Sequence, residues 1–383
     1  MATKVSLVPC PDYDQGRVDG AVRQSLEALG GLGEFIKPGQ TVLIKPNALM
    51  GANPNQAVTT HPAVIAAVVR AVVAAGGLAI VGDSPGNAYA NVEKTMVATG
   101  IKAAVEAAGG VMVYFQNEGV VRLKSPSGGK HLPVIPIAKP LLEADVVINL
   151  AKLKTHGLTL YTGAIKNMFG TVPGFYKAQF HISCQNPRDF AAAIVDVFEL
   201  ARPEINIIDA VVGMEGRGPS EGLPRRLGLL IASADAVAAD AVGAYLIGYE
   251  PRAINTTDIA ARRGLGEADL NGIEIAGPPL ETFRQKDWQH ARNINQLIQA
   301  LPPALYHFLA GRISIKPVID QGKCTRCQVC LKNCPAKTIH YNKTTDRVEI
   351  APADCIYCFC CHELCPEKAI ELRKSWLAQL MGF

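Results

Sequence analysis

Near the C-terminus cysteine recurs in a fixed rhythm. Cys324, Cys327, Cys330 and Cys334 precede Pro335, and Cys355, Cys358, Cys361 and Cys365 precede Pro366. Thiolates are soft ligands for iron, and a C-x2-C-x2-C-x3-C-P run supplies three ligands from one tight loop while its fourth cysteine serves the other copy's cluster. The spacing therefore predicts two [4Fe-4S] clusters. Cys324, Cys327, Cys330 and Cys365 would hold one, and Cys355, Cys358, Cys361 and Cys334 the other. A zinc ribbon pairs two CxxC knuckles and has no use for two such runs in tandem. Cys10, Cys184 and Cys360 share no repeated spacing, so no disulfide framework is expected; Cys360 reads as an inert neighbour of a ligand and Cys184 as buried filler.

A second concentration of reactive residues lies between Lys152 and His181. It holds Lys152, Lys154, Lys166 and Lys177, with His156 and His181, among glycines. Glycines let backbone N–H groups approach an anion, lysines supply charge, and histidine can act as acid, base or metal ligand. Upstream, Lys45, Asn47 and Asp83 follow short β-branched runs, and Glu215, Gly216 and Arg217 lie in the glycine-rich stretch GMEGRGPSEG. That stretch matches neither GxGxxG nor GxxxxGK[ST], so no dinucleotide fold or P-loop is claimed.

These residues need a frame. Apolar runs at 41–45, 78–82, 111–115, 145–150, 205–211 and 227–232 alternate with Ala-rich helical patterns, the signature of βαβ units. The expected fold class is α/β: a large parallel-sheet α/β domain with a small C-terminal α+β ferredoxin-like domain carrying two [4Fe-4S] clusters. The large domain would span 1–278, a helical connector with an apolar 301–309 segment 279–316, the ferredoxin-like domain 317–372, and a C-terminal helix 373–383. In an open parallel sheet, ligands bind beyond the carboxyl ends of the strands. The segments after the strands are therefore expected to meet at one edge. After the first strand, Pro62 suits the first turn of a helix and Gly76 its left-handed end. Asp235 reads as an N-cap, and Asp240 needs a partner, with a pocket lysine as the candidate.

Composition narrows the classes. The 383 residues carry net charge +4, 19% charged and 49% hydrophobic residues, so a globular protein is expected and nucleic acid is not. The apolar stretch from Ala63 to Val81 is broken by Arg70 and Gly76-Gly77 and does not read as a membrane span, and the residues before Cys10 lack the apolar core of a lipoprotein leader. Exposed clusters point to a reducing, low-oxygen cytoplasm.

On VLIKPN at 42–47, HP at 61–62, GDSPG at 82–86, KLKTH at 152–156, TGAIKNMFG at 162–170, GMEGRGP at 213–219 and the Asp235/Asp240 segment, the chain resembles the DUF362 family in its ferredoxin-fused form. That resemblance implies fold and clusters without a substrate. The large domain also bears a weaker likeness to the nickel-pincer lactate racemase family, which implies metal or acid/base roles for His156 and His181 and a cofactor anchor at Lys166. Here Ala164 stands where that family has its second glycine, and Pro173-Gly174 lies further from the lysine. Any additional cofactor in the large domain is left open.

Two functions are carried forward. In the first, an oxidoreductase, clusters deliver electrons to a small anionic substrate or second cofactor. His156, Lys166, His181 and Lys154 are then the candidate catalytic residues. Lys45, Asn47, Asp83, Lys152, Thr162, Gly163, Asn167, Glu215 and Gly216 are the candidate binding residues. In the second, the large domain docks a redox partner protein and the chain relays electrons or aids assembly without chemistry of its own.

Overall fold

The computed structural model describes residues 3–87, 91–129, 132–174, 176–184, 186–291 and 315–376. The large domain contains strands β1 (Thr3–Pro9), β2 (Thr41–Pro46), β3 (Leu78–Asp83), β4 (Val111–Tyr114), β5 (Val120–Lys124), β6 (Val134–Ala138), β7 (Val146–His156), β8 (Leu160–Thr162), β9 (Ile205–Glu215), β10 (Leu223–Ser233) and β11 (Ile273–Ala276). The main sheet runs β11-β1-β10-β9-β7-β2-β3-β4, with β8 paired to β7.

The sheet is mostly parallel but mixed. β10 is antiparallel to both β1 and β9. The short connection from Glu215 to Leu223 explains this, because a hairpin loop can join only antiparallel neighbours. Alternate residues serve opposite faces: Val42 and Ile44 enter one apolar core, and Leu43 the other. Helices Gln15–Ala28 and Pro62–Ala74 cover the first face, and Pro187–Leu200 and Ala236–Leu246 the second. Coverage on both sides is why these strands read as continuous apolar runs.

The helix Pro62–Ala74 forms as expected, with Pro62 in its first turn and Gly76 at φ 82° just past its end. Its cap is His61, whose Nδ1 accepts from the Ala63 N–H at 3.2 Å. Asp235 caps Ala236–Leu246, accepting from the Val237 and Ala238 N–H groups.

Strands β12 (Ile315–Ile319) and β15 (Ile370–Lys374) pair antiparallel, as do β13 (Ile339–Asn342) and β14 (Arg347–Ile350). Short helices Val329–Asn333 and Cys360–Glu363 carry Cys330 and Cys361. Positions 373 and 374 lie in β15, so no helix begins at 373. The expected 301–309 segment lies outside the described residues, as does 377–383.

Candidate functional site between the large domain and the cysteine module

Backbone conformation repeats with the cysteines. Arg326, Gln328 and Lys337 have φ of 60°, 60° and 54°, and their counterparts Tyr357, Phe359 and Lys368 have 51°, 60° and 50°. Left-handed residues among right-handed ones turn successive N–H groups inward, a concavity suited to an anionic cluster. Cys324, Cys327, Cys330 and Cys365 line one small cavity, and Cys334, Cys355, Cys358 and Cys361 line the other. The Thr338 N–H donates to Cys334 Sγ at 3.4 Å, and the Ala369 N–H to Cys365 Sγ at 3.2 Å. The donor set, the concavities and the crossed grouping all fit two iron–sulfur clusters.

A cavity of about 580 Å³ lies where this module meets the sheet. The large domain contributes Lys45, Asn47 and Asp83 from the ends of β2 and β3, Lys154 and His156 from β7, Thr162 from the end of β8, and Lys166 and Asn167 from the turn beyond it. Lys177 and His181 come from helix Tyr176–Ser183. The opposite wall includes Leu331, Cys334, Cys360, Glu363 and Leu364.

The segment KLKTH is not a loop. It completes β7, which is buried along its whole length. Three buried lysines are satisfied inside the fold, as burial of an ammonium demands. Lys45 pairs with Asp83 at 2.7 Å and Lys152 with Asp209 at 2.9 Å. Lys154 has no carboxylate; it donates to Asn47 Oδ1 at 2.9 Å and the Val58 carbonyl at 2.7 Å. An amide chain extends from it: Asn47 donates to Asn167 and Asn167 to Asn149, at 2.9 and 2.7 Å.

Burial holds Lys154 well below the usual lysine range, and Lys166 and Lys152 add to the effect. Burial likewise pulls Lys166 down to about 8, against the Glu363 carboxylate, and Lys177 down to about 7, against Asp83. Both histidines are held neutral at neutral pH. Burial, then Lys166, Lys154 and His181, keeps His156 well below 6.5, and burial with Lys166 puts His181 at about 4. His156 Nδ1 accepts from the Leu158 N–H at 3.0 Å, so its proton sits on Nε2, which faces Glu363 at 3.9 Å. Held neutral, each histidine can offer or accept a hydrogen bond.

Other candidates lie elsewhere. Lys152 joins Tyr13 and Asp209 away from the cavity lining. Glu215 pairs with Arg225 at 2.9 Å, and the Gly216 N–H donates to the Gln289 carbonyl, so both brace the rim. Gly163 supports the site from behind. Asp240 takes no lysine; it accepts from the N–H groups of Ala164 at 2.5 Å and Ile165 at 3.0 Å, fixing the turn that carries Lys166. A Cβ at Gly163 would fall 2.0 Å from Asp240 Oδ1. Gly163→Ala is therefore expected to destabilise the fold by about 1–3 kcal/mol, read as a lowered denaturation midpoint.

Glu363 and Ser84 are cavity residues that the sequence did not single out, and Cys360, read there as an inert neighbour of a ligand, and Lys177 also line the cavity. Ser220 Oγ donates to the Glu363 carbonyl at 3.1 Å, and Asn333 donates to Asn87 at 2.8 Å, joining the two walls. Lys177 had a signal in its place in the lysine-rich stretch, and Cys360 in its place in the cysteine run. Among the described residues no helix is long and apolar enough to cross a membrane.

Residues 42–245 match the domain of unknown function DUF362, and residues 316–366 match a 4Fe-4S dicluster domain. The chain is 37% identical over 266 residues to the thylakoid-associated protein sll1697 of Synechocystis sp., covering 69% of this chain and 81% of that one. Among solved structures, the lactate racemase apoprotein of Thermoanaerobacterium thermosaccharolyticum aligns at TM-score 0.41 and 14% identity, over 61% of this chain and 54% of that one. A Thermotoga maritima protein aligns at TM-score 0.39 and 13% identity, over 67% and 60%. The chain belongs to the DUF362 family, joined here to a C-terminal 4Fe-4S dicluster domain capable of iron–sulfur electron transfer.

Proposed function

We propose that the protein is an iron–sulfur oxidoreductase that adds two electrons and two protons to an anionic molecule, substrate or second cofactor, bound in the cavity between the domains. One observation carries the reading: Cys334, proposed as a ligand of one cluster, lines the same cavity as Lys154, His156, Lys166 and His181. When bound, the clusters supply electrons singly, from a low-potential one-electron carrier outside the chain.

The residues named divide the remaining work. Lys166 holds the anion and offsets negative charge as it grows, an effect strengthened where water is sparse. His156, neutral with its proton on Nε2, donates a hydrogen bond to that charge, as a neutral imidazole does in other enzymes. Lys177, at about 7, is one cavity group able to deliver a proton at neutral pH, turning from Ser84 or Pro85 to do so, and solvent reprotonates it for the second. Lys45, Asp83, Asn47, Asn167 and Lys154 keep the floor rigid. The setting we propose is a reducing, low-oxygen cytoplasm, where exposed clusters survive.

The test uses the full chain, reconstituted with iron and sulfide without oxygen and reduced by dithionite. Candidate anions are expected to perturb the electron paramagnetic resonance of one cluster and be reduced, with turnover falling about 10²–10⁴-fold in Lys177→Met. Clusters indifferent to every cavity ligand, and electron transfer to protein acceptors undiminished by Lys166→Met, would instead favour a relay protein.

A further inference from the structure

Several donors of the cavity are already committed. Lys45 serves Asp83 and the Pro46 carbonyl, Lys154 serves Asn47 and Val58, and Lys177 serves Ser84 and Pro85. Lys166 lines the same cavity with no hydrogen bond or ion pair among the described residues. Thr162 also lines it, is 2% exposed, and its Oγ1 has no partner among the described residues. A buried hydroxyl left without a partner costs about 1–3 kcal/mol, so on a cavity wall this one is available to a bound acceptor. The Nε2–H of His156 is likewise unspent, because Glu363 is 3.9 Å away.

Part of the lining is apolar. Phe169 and Phe190 meet edge to face at 5.8 Å, Leu49 lines the same domain's wall, and Leu331 and Leu364 belong to the opposite one. About 580 Å³ is too much for a head group alone and suits a molecule with an apolar body.

We infer that the cavity takes a conjugated organic carboxylate, its carboxylate held by Lys166 and Thr162 and its flat apolar body laid along Phe169, Phe190 and Leu364 toward Cys334. Of the lining lysines without a partner among the described residues, Lys332 and Lys337 are exposed and only Lys166 is enclosed, so one enclosed ammonium meets one negative charge, which favours a carboxylate over a phosphate dianion. Conjugation rests on the electron-delivery reading above, since a saturated body has no low-lying orbital to accept a single electron. Recognition of the head group does not depend on that reading.

The test is calorimetric titration of the reconstituted full chain with 2-naphthoate, 2-naphthalenemethanol and 2-naphthyl phosphate. The acid is expected to bind at pH 7 and to lose about 10- to 100-fold in affinity in Lys166→Met, the worth of one charge-assisted hydrogen bond. Thr162→Val should weaken it too, while the alcohol binds feebly and ignores Lys166→Met. Affinity should fall as pH rises through about 8, where Lys166 surrenders its proton. The groups facing it are Glu363, Lys45, Lys154, Lys177, His156, His181 and Cys360. Alcohol bound as tightly as acid, acid indifferent to both substitutions, or a preference for the phosphate would overturn the assignment. Unchanged cluster absorbance checks folding, and should Lys166→Met fail that check, Thr162→Val and the alcohol comparison decide. Acid bound through Lys166 with clusters undisturbed refutes electron delivery alone; a cluster response that ignores Lys166 refutes the carboxylate site alone.

Discussion

Asp83→Ala should destabilise the fold by about 3–5 kcal/mol, the cost of stranding a buried charge whose partner has been removed. Lys45 is fully buried, and its ammonium would keep only the Pro46 carbonyl. Burial already pulls Lys45 below the usual lysine range, and Asp83 is what opposes that shift. The carboxylate also accepts from the Ala48 N–H at 2.7 Å and the Ser84 N–H at 2.8 Å, so the substitution orphans backbone donors as well. A urea midpoint measured for Asp83→Ala checks the magnitude. Lys45→Met/Asp83→Ala should recover part of the loss, because it removes the stranded charge. A double variant no more stable than Asp83→Ala would assign the loss to Ala48 and Ser84. Gly170→Ala is a geometric counterpart, since a Cβ there would lie 2.1 Å from Asp83 Oδ1 and 2.6 Å from Lys45 Nζ.

That pair also marks where the sequence stopped being readable. The cap and end of Pro62–Ala74 were legible because proline, glycine and local N–H groups determine them within a few residues. The cysteine runs were legible because cluster geometry dictates spacing. Lys152 and Lys154 looked like loop residues because their partners, Asp209, Asn47 and the Val58 carbonyl, lie far away in the chain. The alternation of Lys152, Lys154 and His156 with Leu153 and Thr155 is a strand pattern that charge disguised. β1 was missed, and the antiparallel setting of β10 went unread, because direction depends on a hairpin at Glu215–Leu223 that its glycines did not announce. Glu363 went unread and Cys360 read as inert for another reason: they gain meaning only when the cysteine module docks on Ser220 and Asn87.

The crossed ligation makes the sharpest demand on the molecule. If each cavity holds a cluster, Cys324 and Cys365 serve one, although they belong to different repeats. Cys324→Ser/Cys365→Ser should then remove a single cluster, lowering iron from about eight atoms per chain to about four. Cys324→Ser/Cys334→Ser should disable both, because Cys334 lines the other cavity. Ligation within each repeat predicts the reverse pattern, with the first variant losing both clusters and the second only one. Iron and acid-labile sulfide analysis separates the schemes, and Cys360→Ala, expected to retain the full complement, guards against a nonspecific effect of thiol loss. The surviving cluster in Cys324→Ser/Cys365→Ser would be the one whose Cys334 lines the larger cavity. Its resonance should still respond to a cavity ligand, while turnover fed by an external protein carrier should fall if electrons enter through the other cluster. Response without turnover would thus assign the Cys324 cluster to electron entry and the Cys334 cluster to delivery, an order that follows from which cysteine reaches the cavity.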